Sequence, residues 1–480
     1  MNAPHPIRFH RIRLKQIRRE MPSLLRLAVP IVMGEVGWMS MNFVDVAMIG
    51  RVGPTALAAV SLGSAVFLVF AIVCEGMMLG GDAMVSQDFG AGRIEECFRT
   101  LWAGAQLAVP LGLLCALMVA SSARLLAPMG IAPQIVRETI PFLYAMACGL
   151  PALMGFVAMR VFLQGTHRVR VVAFAMVSAN LVNLAGNYAL IYGHWGLPAL
   201  GATGSGLSTA LARTYMTCVL LGYLVWLNRR EHLRLGQYAG RLYLDRMMTI
   251  IRRGSPAATQ IALEVGVFSA ATLVAGRLGA VAVSGHQIAL IMASLTFMVP
   301  LGVAQATSVR VGNAIGRRDA EAAEVSGWSG IALSASLMSC SAIVLWTLPL
   351  PIVHIFTYDP EVAKVAVSLL SIAAVFQFFD GVQVTAIGAL RGSGNTRIAM
   401  ITDFVGWWLV GLPLGAWLCF GRGWGVHGLW IGLSAGLISI GCVLAVAWRR
   451  RVEWLRRELG ASGITPAAAS DDSDHLIQQL

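Results

Sequence analysis

The chain has 480 residues, of which 57% are apolar and only 12% charged, with a formal net charge of +12 at pH 7. Soluble domains carry about 25% charged residues, so the composition excludes a water-soluble globular protein and points to a chain that crosses a bilayer many times. The positive charge clusters in alternate loops, which argues against a nucleic-acid-binding face.

Residues 1–22 are basic and polar, and the first apolar run after them is long enough to span, so no cleavable signal peptide is expected. Between Ser23 and Arg451, apolar runs of about 20 residues, the length that crosses about 30 Å of hydrocarbon, recur. Twelve are expected, centred near residues 35, 67, 109, 150, 182, 215, 262, 296, 338, 375, 408 and 438, the second and eighth long enough for their last turns to leave the membrane. The expected fold is an all-α polytopic membrane protein of twelve transmembrane helices in two pseudo-symmetric six-helix bundles. Spans one to six occupy 23–227, a polar and basic linker 228–248, spans seven to twelve 249–450, and a tail 451–480. Ala461 to Leu480, with Asp471, Asp472 and Asp474, is expected to be disordered.

The basic loops are Arg8 to Arg26, Arg93 with Arg99, Arg168 with Arg170, Arg229 to Arg246, Arg310 to Arg318, Arg391 with Arg397, and Arg449 to Arg457. Every second loop carries little positive charge. This positive-inside alternation predicts an even number of spans with both termini in the cytoplasm.

The halves repeat. Gly50-Arg51-Val52-Gly53 returns as Gly276-Arg277-Leu278-Gly279, and Gly92-Arg93 as Gly316-Arg317. Leu163-Gln164-Gly165 returns as Leu390-Arg391-Gly392, and Gly201 with Gly204 as Gly425 with Gly428. The offsets are 226, 224, 227 and 224 residues. Six spans per half is even, so the repeat is parallel, related by an axis along the membrane normal, with a cavity expected between the halves.

Acidic residues in such spans cost roughly 2.5–3.5 kcal/mol each near mid-bilayer and mark cation or proton pathways. Glu35, Asp45, Glu75, Asp82, Glu264, Asp380 and Asp403 are the seven. Gln377, Asp380 and Gln383 share one helical face, as do Gln260 with Glu264 and Asn42 with Asp45, and Trp38 lies two turns before Asp45, where it can stack on a flat cation. Asn180, Asn183 and Asn187 form a stripe that serves either a cavity wall or interhelical hydrogen bonds. Arg213 is the clearest basic partner at membrane depth. Glu75 and Asp82 lie near a cytoplasmic helix end where snorkelling costs little. Glu35 and Asp403 read either as extra sites or as carboxylates at the lipid end of a helix.

The eight cysteines are scattered, with no CxxC, seven in apolar runs and Cys97 in a loop, so packing is expected rather than disulfides or metal. His167, His194, His286 and His427 read as loop residues. No cofactor is expected.

Asn42-Phe43-Val44-Asp45-Val46-Ala47-Met48-Ile49-Gly50, Gly90-Ala91-Gly92-Arg93, Leu163-Gln164-Gly165, Glu264, Gly312-Asn313-Ala314-Ile315-Gly316-Arg317, Asp380 and Leu390-Arg391-Gly392-Ser393-Gly394-Asn395-Thr396-Arg397 together resemble the multidrug and toxic compound extrusion (MATE) transporters, NorM-like branch. The resemblance runs from about Leu24 to Arg450. It implies export of small organic cations in exchange for Na⁺ or H⁺, with Glu264 and Asp380 holding the coupling cation, Phe297 beside it, Asp45 in the first-half cavity, and Na⁺ possible at Glu264 and Asp380. It further implies a bacterial inner-membrane protein acting as a monomer. Asp88-Phe89, and Asp403 with Trp407 and Trp408, depart from the family pattern.

Two other readings are open. A flippase of lipid-linked sugars from the same superfamily would need cationic side chains in its cavity for phosphate. A membrane-embedded enzyme would need a nucleophile or metal ligands at membrane depth, and no GxSxG, HExxH or GxGD pattern occurs.

Overall fold

A computed structural model describes residues 14–126, 128, 131–233 and 235–461. The segment 462–480, which holds nearly all of the tail expected to be disordered, and residues 1–13 of the basic amino terminus lie outside the described residues.

Among the described residues, twelve helices are long and apolar enough to cross a bilayer. They are α1 (Lys15–Ile49), α2 (Pro54–Gly90), α3 (Ile94–Leu125), α4 (Pro133–Gly165), α5 (Val169–Tyr192) and α6 (Ala202–Arg230) in the first half. The second half holds α7 (Leu244–Gly276), α8 (Ala280–Gly316), α9 (Ala320–Thr347), α10 (Pro360–Gly392), α11 (Arg397–Gly421) and α12 (Gly425–Leu459). Among the described residues there is no strand, as expected where backbone groups must be satisfied within the spanning segment.

Local chemistry sets many of the ends. Proline occupies the first turn of α2, α4 and α10, where its missing N–H is not needed. Asp319 caps α9 through Ala322 N at 2.8 Å, and Asp359 caps α10 through Glu361 N at 2.9 Å and Val362 N at 3.1 Å.

Each half encloses its own apolar core, one built around Met154, Phe156 and Met216, the other around Leu369, Trp407 and Trp448. A third, smaller cluster straddles the halves, setting Leu24, Leu27, Ala28 and Ile31 of α1 against Val303, Ala306 and Val309 of α8. The two six-helix bundles therefore meet along α1 and α8, and α2 also packs against α7, with Gly76 on Ala258 and Gly254 on Met77.

The repeat is visible in the backbone. Positive φ recurs at Gly53 and Gly279, Gly92 and Arg318, His167 and Gly394, and Gly201 and Gly425. This shifts one expected correspondence: α2 and α8 end at Gly90 and Gly316, so Gly92 answers to Arg318 and not to Gly316. A glycine-arginine pair is too short a string to fix register by itself; the helix end fixes it.

Other expectations are corrected. Cys97 is not in a loop but in the first turn of α3, fully buried, and the thiols of Cys74 and Cys115 meet between α2 and α3. Cys148, Cys218, Cys340 and Cys442 are exposed on the helical surface, so packing accounts for only half of the set. His286 lies within α8, bonded to Thr272 and to the Trp430 indole, and His427 lies within α12.

Candidate functional site

In the first bundle the site is built around Asp45, near the far end of α1. Its Oδ1 accepts from Asn187 Nδ2 at 2.6 Å and its Oδ2 from Thr209 Oγ1 at 2.9 Å. Asn187 also donates to Asn183 Oδ1 at 3.1 Å, and Ser208 of α6 donates to the Asn183 carbonyl at 2.7 Å. The carboxylate, Asn183 and Asn187 are all buried. Asn180 does not join them: its amide returns to the carbonyls of Met176 and Val177 on its own helix. Trp38 is half-buried, packed in part against the first bundle's core, and Asn42 is exposed.

In the second bundle Gln260 is the hub. Its Nε2 donates to Glu264 Oε2 at 3.1 Å and to Asp403 Oδ2 at 2.7 Å, joining α7 to α11. Asp403 is fully buried, with its Oδ1 lacking a partner among the described residues. A carboxylate at the lipid end of a helix is thereby excluded for Asp403. Asp380 is buried on α10, and Glu264 is the charged group whose field reaches it. Gln377 donates to Thr296 Oγ1 of α8 at 2.8 Å, beside the half-buried Phe297, while both amide atoms of the buried Gln383 lack partners among the described residues.

Glu35 belongs to neither cluster, and it is not at a lipid-facing helix end. It is buried in the seam, where its Oε1 accepts from Gln305 Nε2 of α8 at 2.8 Å and lies 3.6 Å from Arg160 Nη1 of α4. The same seam continues toward the basic loops. Arg310 of α8 grips Glu20 of α1 with two bonds of 2.7 Å, Ser326 of α9 adds a third, and Gln87 of α2 donates to the Gly392 carbonyl at 2.9 Å. Asn313 Nδ2 meets His167 Nε2 at 2.6 Å. Burial, together with the positive fields of Arg310 and Arg317, lowers the His167 pKa to about 4, so its ring is neutral and accepts. These cross-bundle bonds cluster in the halves that adjoin the basic loops.

Arg213 has more company than the sequence reading allowed. Arg160 and Arg391 are also buried, and the fields of Asp82, Arg160 and Glu264 all reach Arg391. Both arginines were visible as basic residues inside or at the end of apolar runs, which is the signal that would have found them. Thr209 and Gln305 carried no such signal. Asp88 and Phe89, which depart from the family pattern, have local uses: Asp88 pairs with Arg93 at 2.7 Å and Arg246 at 3.6 Å, and Phe89 packs against the His167 ring with centroids 5.5 Å apart.

Among the described residues no three His, Cys, Asp or Glu side chains are close enough to share a metal ion. A Na⁺ ion at Glu264 or Asp380 would therefore draw on amide, hydroxyl or carbonyl oxygens as well, which suits a hard monovalent cation.

A family profile described as MatE matches residues 30–189 and again 256–417, one match per bundle. The chain is 36% identical over 441 residues to a probable multidrug resistance protein NorM of Pseudomonas aeruginosa, covering 90% of each chain. It is 36% identical over 440 residues to a multidrug resistance protein NorM of Burkholderia vietnamiensis, covering 90% of this chain and 94% of that one. Among solved structures, a MATE protein in the bent conformation superposes with a TM-score of 0.84 at 20% identity, over 94% of this chain and all of that one. The eukaryotic MATE transporter AtDTX14 superposes at 0.82 and 18% identity, over 92% of this chain. These relatives are transporters and not enzymes. With two matched bundles, this identity across nine-tenths of its length and a twelve-helix fold in common, the chain belongs to the MATE family of multi-pass membrane transporters.

Proposed function

We propose that this protein is a NorM-like multidrug efflux antiporter, exporting small organic cations in exchange for inward Na⁺ or H⁺. The observation that carries the reading is a set of carboxylates at membrane depth, Glu264, Asp380 and Asp45, none of which forms an ion pair among the described residues. Had they served only to fix packing, each buried charge would need a paired cation, since leaving one unpaired costs several kcal/mol. Carboxylates without a resident partner are available to an ion that comes and goes.

Glu264 and Asp380 hold the coupling cation, with Gln260 and Gln377 orienting the wall and Phe297 beside it. Asp45 with Asn183, Asn187 and Thr209 is the counterpart in the first bundle. The halves 23–227 and 249–450 rock about the seam between them. The basic loops and both termini face the cytoplasm of a bacterial cell, so the closed seam makes this arrangement outward-facing. A cation binding from outside neutralises the carboxylates; a cationic drug entering from inside then competes for the same negative charge. A single chain contains both half-sites, so a monomer suffices, and no cofactor is required.

The test is ethidium movement in proteoliposomes holding purified protein, with Na⁺ and proton gradients imposed separately. One of the two gradients is expected to drive transport, and Glu264→Gln and Asp380→Asn each to lower it by at least about tenfold, the loss of one charged contact of 1.4 kcal/mol or more, while remaining folded. Full gradient-driven efflux in both variants would sink the assignment, and no movement of dye by folded wild-type protein would favour a flippase.

A further inference from the structure

We propose that Asp403 is a second cation-carrying carboxylate of the transport site, joined to Glu264 by Gln260, so that two monovalent cations enter for each organic cation exported. This rests on the antiport reading above and adds to it a residue and a stoichiometry.

Three observations carry it. A single amide nitrogen, Gln260 Nε2, is shared between Glu264 at 3.1 Å and Asp403 at 2.7 Å, so the two carboxylates face one another across one donor. Asp403 is fully buried, yet its Oδ1 has no partner among the described residues. A buried, unpartnered anionic oxygen is too costly to persist in a packed membrane protein, so that atom takes a proton or a bound cation. The backbone of α11 also leaves α-helical geometry at the next residue, with π-type turns over Phe404–Gly411. Such turns are rare and gather at functional sites. The Trp408 indole, within that stretch, donates to the Leu263 carbonyl at 3.1 Å, fixing α11 against the residue before Glu264.

Charge balance sets the number. Glu264, Asp380 and Asp403 would together carry three negative charges. None of the three forms an ion pair among the described residues, and the same bundle buries one guanidinium, that of Arg391, near its basic-loop end. At least two of the three carboxylates therefore need a proton or another monovalent cation when the organic cation is absent. Exchange of two such charges for one drug charge moves one net positive charge inward per cycle.

The experiment measures the limiting ethidium gradient in proteoliposomes, using Na⁺ and H⁺ gradients in separate arms, with and without a potassium-valinomycin potential of about 100 mV. One net charge across that potential corresponds to about fiftyfold in the limiting gradient. Wild-type protein is expected to show that factor, and Asp403→Asn to lose it while keeping exchange driven by the chemical gradient alone. A wild-type gradient insensitive to potential, or an Asp403→Asn protein as sensitive as wild type, overturns the proposal and leaves the antiport reading standing. Absence of any cation-driven transport by wild type would instead overturn that reading. Should Asp403→Asn fail to fold, wild-type protein is treated with dicyclohexylcarbodiimide, which modifies protonated carboxyls in apolar surroundings, and its peptides are mapped. Modification at Asp403 that rises as pH falls and is blocked by Na⁺ or ethidium supports the proposal; modification at Glu264 without Asp403 overturns it.

Discussion

Asp45 shows how a membrane carboxylate is held by neighbours that the sequence pattern only half reveals. Asn183 and Asn187 lie on one stripe of α5 and were readable as polar wall or glue; the structure makes them glue around the acid. Thr209 was not readable, because a threonine in an apolar helix ordinarily bonds its own preceding turn, and the Ser205 carbonyl does lie 3.1 Å from its hydroxyl. The closer acceptor of that single hydroxyl hydrogen, Asp45 Oδ2 at 2.9 Å, is there only because α6 packs beside α1. Replacing Thr209 with Val keeps the shape and removes that donor, so a loss of about 1–3 kcal/mol is expected, seen as a lowered melting temperature in detergent. Thr209→Ser retains the hydroxyl and should stay close to wild type.

At the scale of the helix, glycine decides where the bundles touch. α2 breaks at Leu79, between helical segments ending at Met78 and beginning at Gly80, and there Gly80 lies against the backbone of Ile250 and Gly254 on α7. Gly254 in turn backs onto Met77, and Gly76 onto Ala258. Small residues let helix backbones approach closely where lipid offers no hydrophobic drive for association. A β-carbon at Gly254 would collide with the Met77 carbonyl, which is backbone and cannot swing aside. Gly254→Val is therefore expected to pry the seam open while leaving each bundle's core intact. The measurement is labelling of a cysteine introduced at Arg253 by a membrane-impermeant maleimide, in a background without native cysteines: faster labelling than in the Gly254 parent is expected, and an unchanged rate would refute the steric argument. Glycines also line α11 and α12, where Gly411 and Gly415 face Gly436 and Gly432, which lets the widened turns of α11 lie close to its neighbour.

For the molecule as a whole, the rocking proposed above makes the closed seam near the basic loops an expected site of pH sensitivity. His167 sits in the turn after α4 with φ 65°, accepts from Asn313 of the other bundle, and faces Arg310 and Arg317, with Glu20 engaged by Arg310. Its pKa is about 4 in the closed seam against 6.5 for the ordinary group. A lowered histidine pKa means that the open, hydrated seam binds the proton better. Protonation therefore weakens the closed arrangement progressively as pH falls below 6.5, until the effect saturates near 4. Between about pH 7.5 and 5.5 the open fraction relative to closed should rise about tenfold from this group alone. Spin-label distances between positions 170 and 397, in a cysteine-free background, would report it. His167→Gln should abolish that component, and an equal pH response in the variant would show that another group is responsible.

Sequence alone determined the class, the number of spans and the repeat, because these depend on summed hydropathy and recurring motifs along the chain, and a bilayer reads the chain in that way. It also marked Glu264, Asp380, Asp45 and Asp403 among seven acids, since an acid inside an apolar run is conspicuous without any fold, while the resemblance to the family singled out the first three. Only the tertiary structure decided how these acids are grouped. Asp403 and Glu264 are 139 positions apart and share one amide nitrogen; Glu35 and Gln305 meet across the two bundles; Arg160 and Arg391 come to lie within reach of each other's charge. Such pairings depend on which helix faces pack together and at what depth, and the spacing of residues along one helix carries no record of its partner.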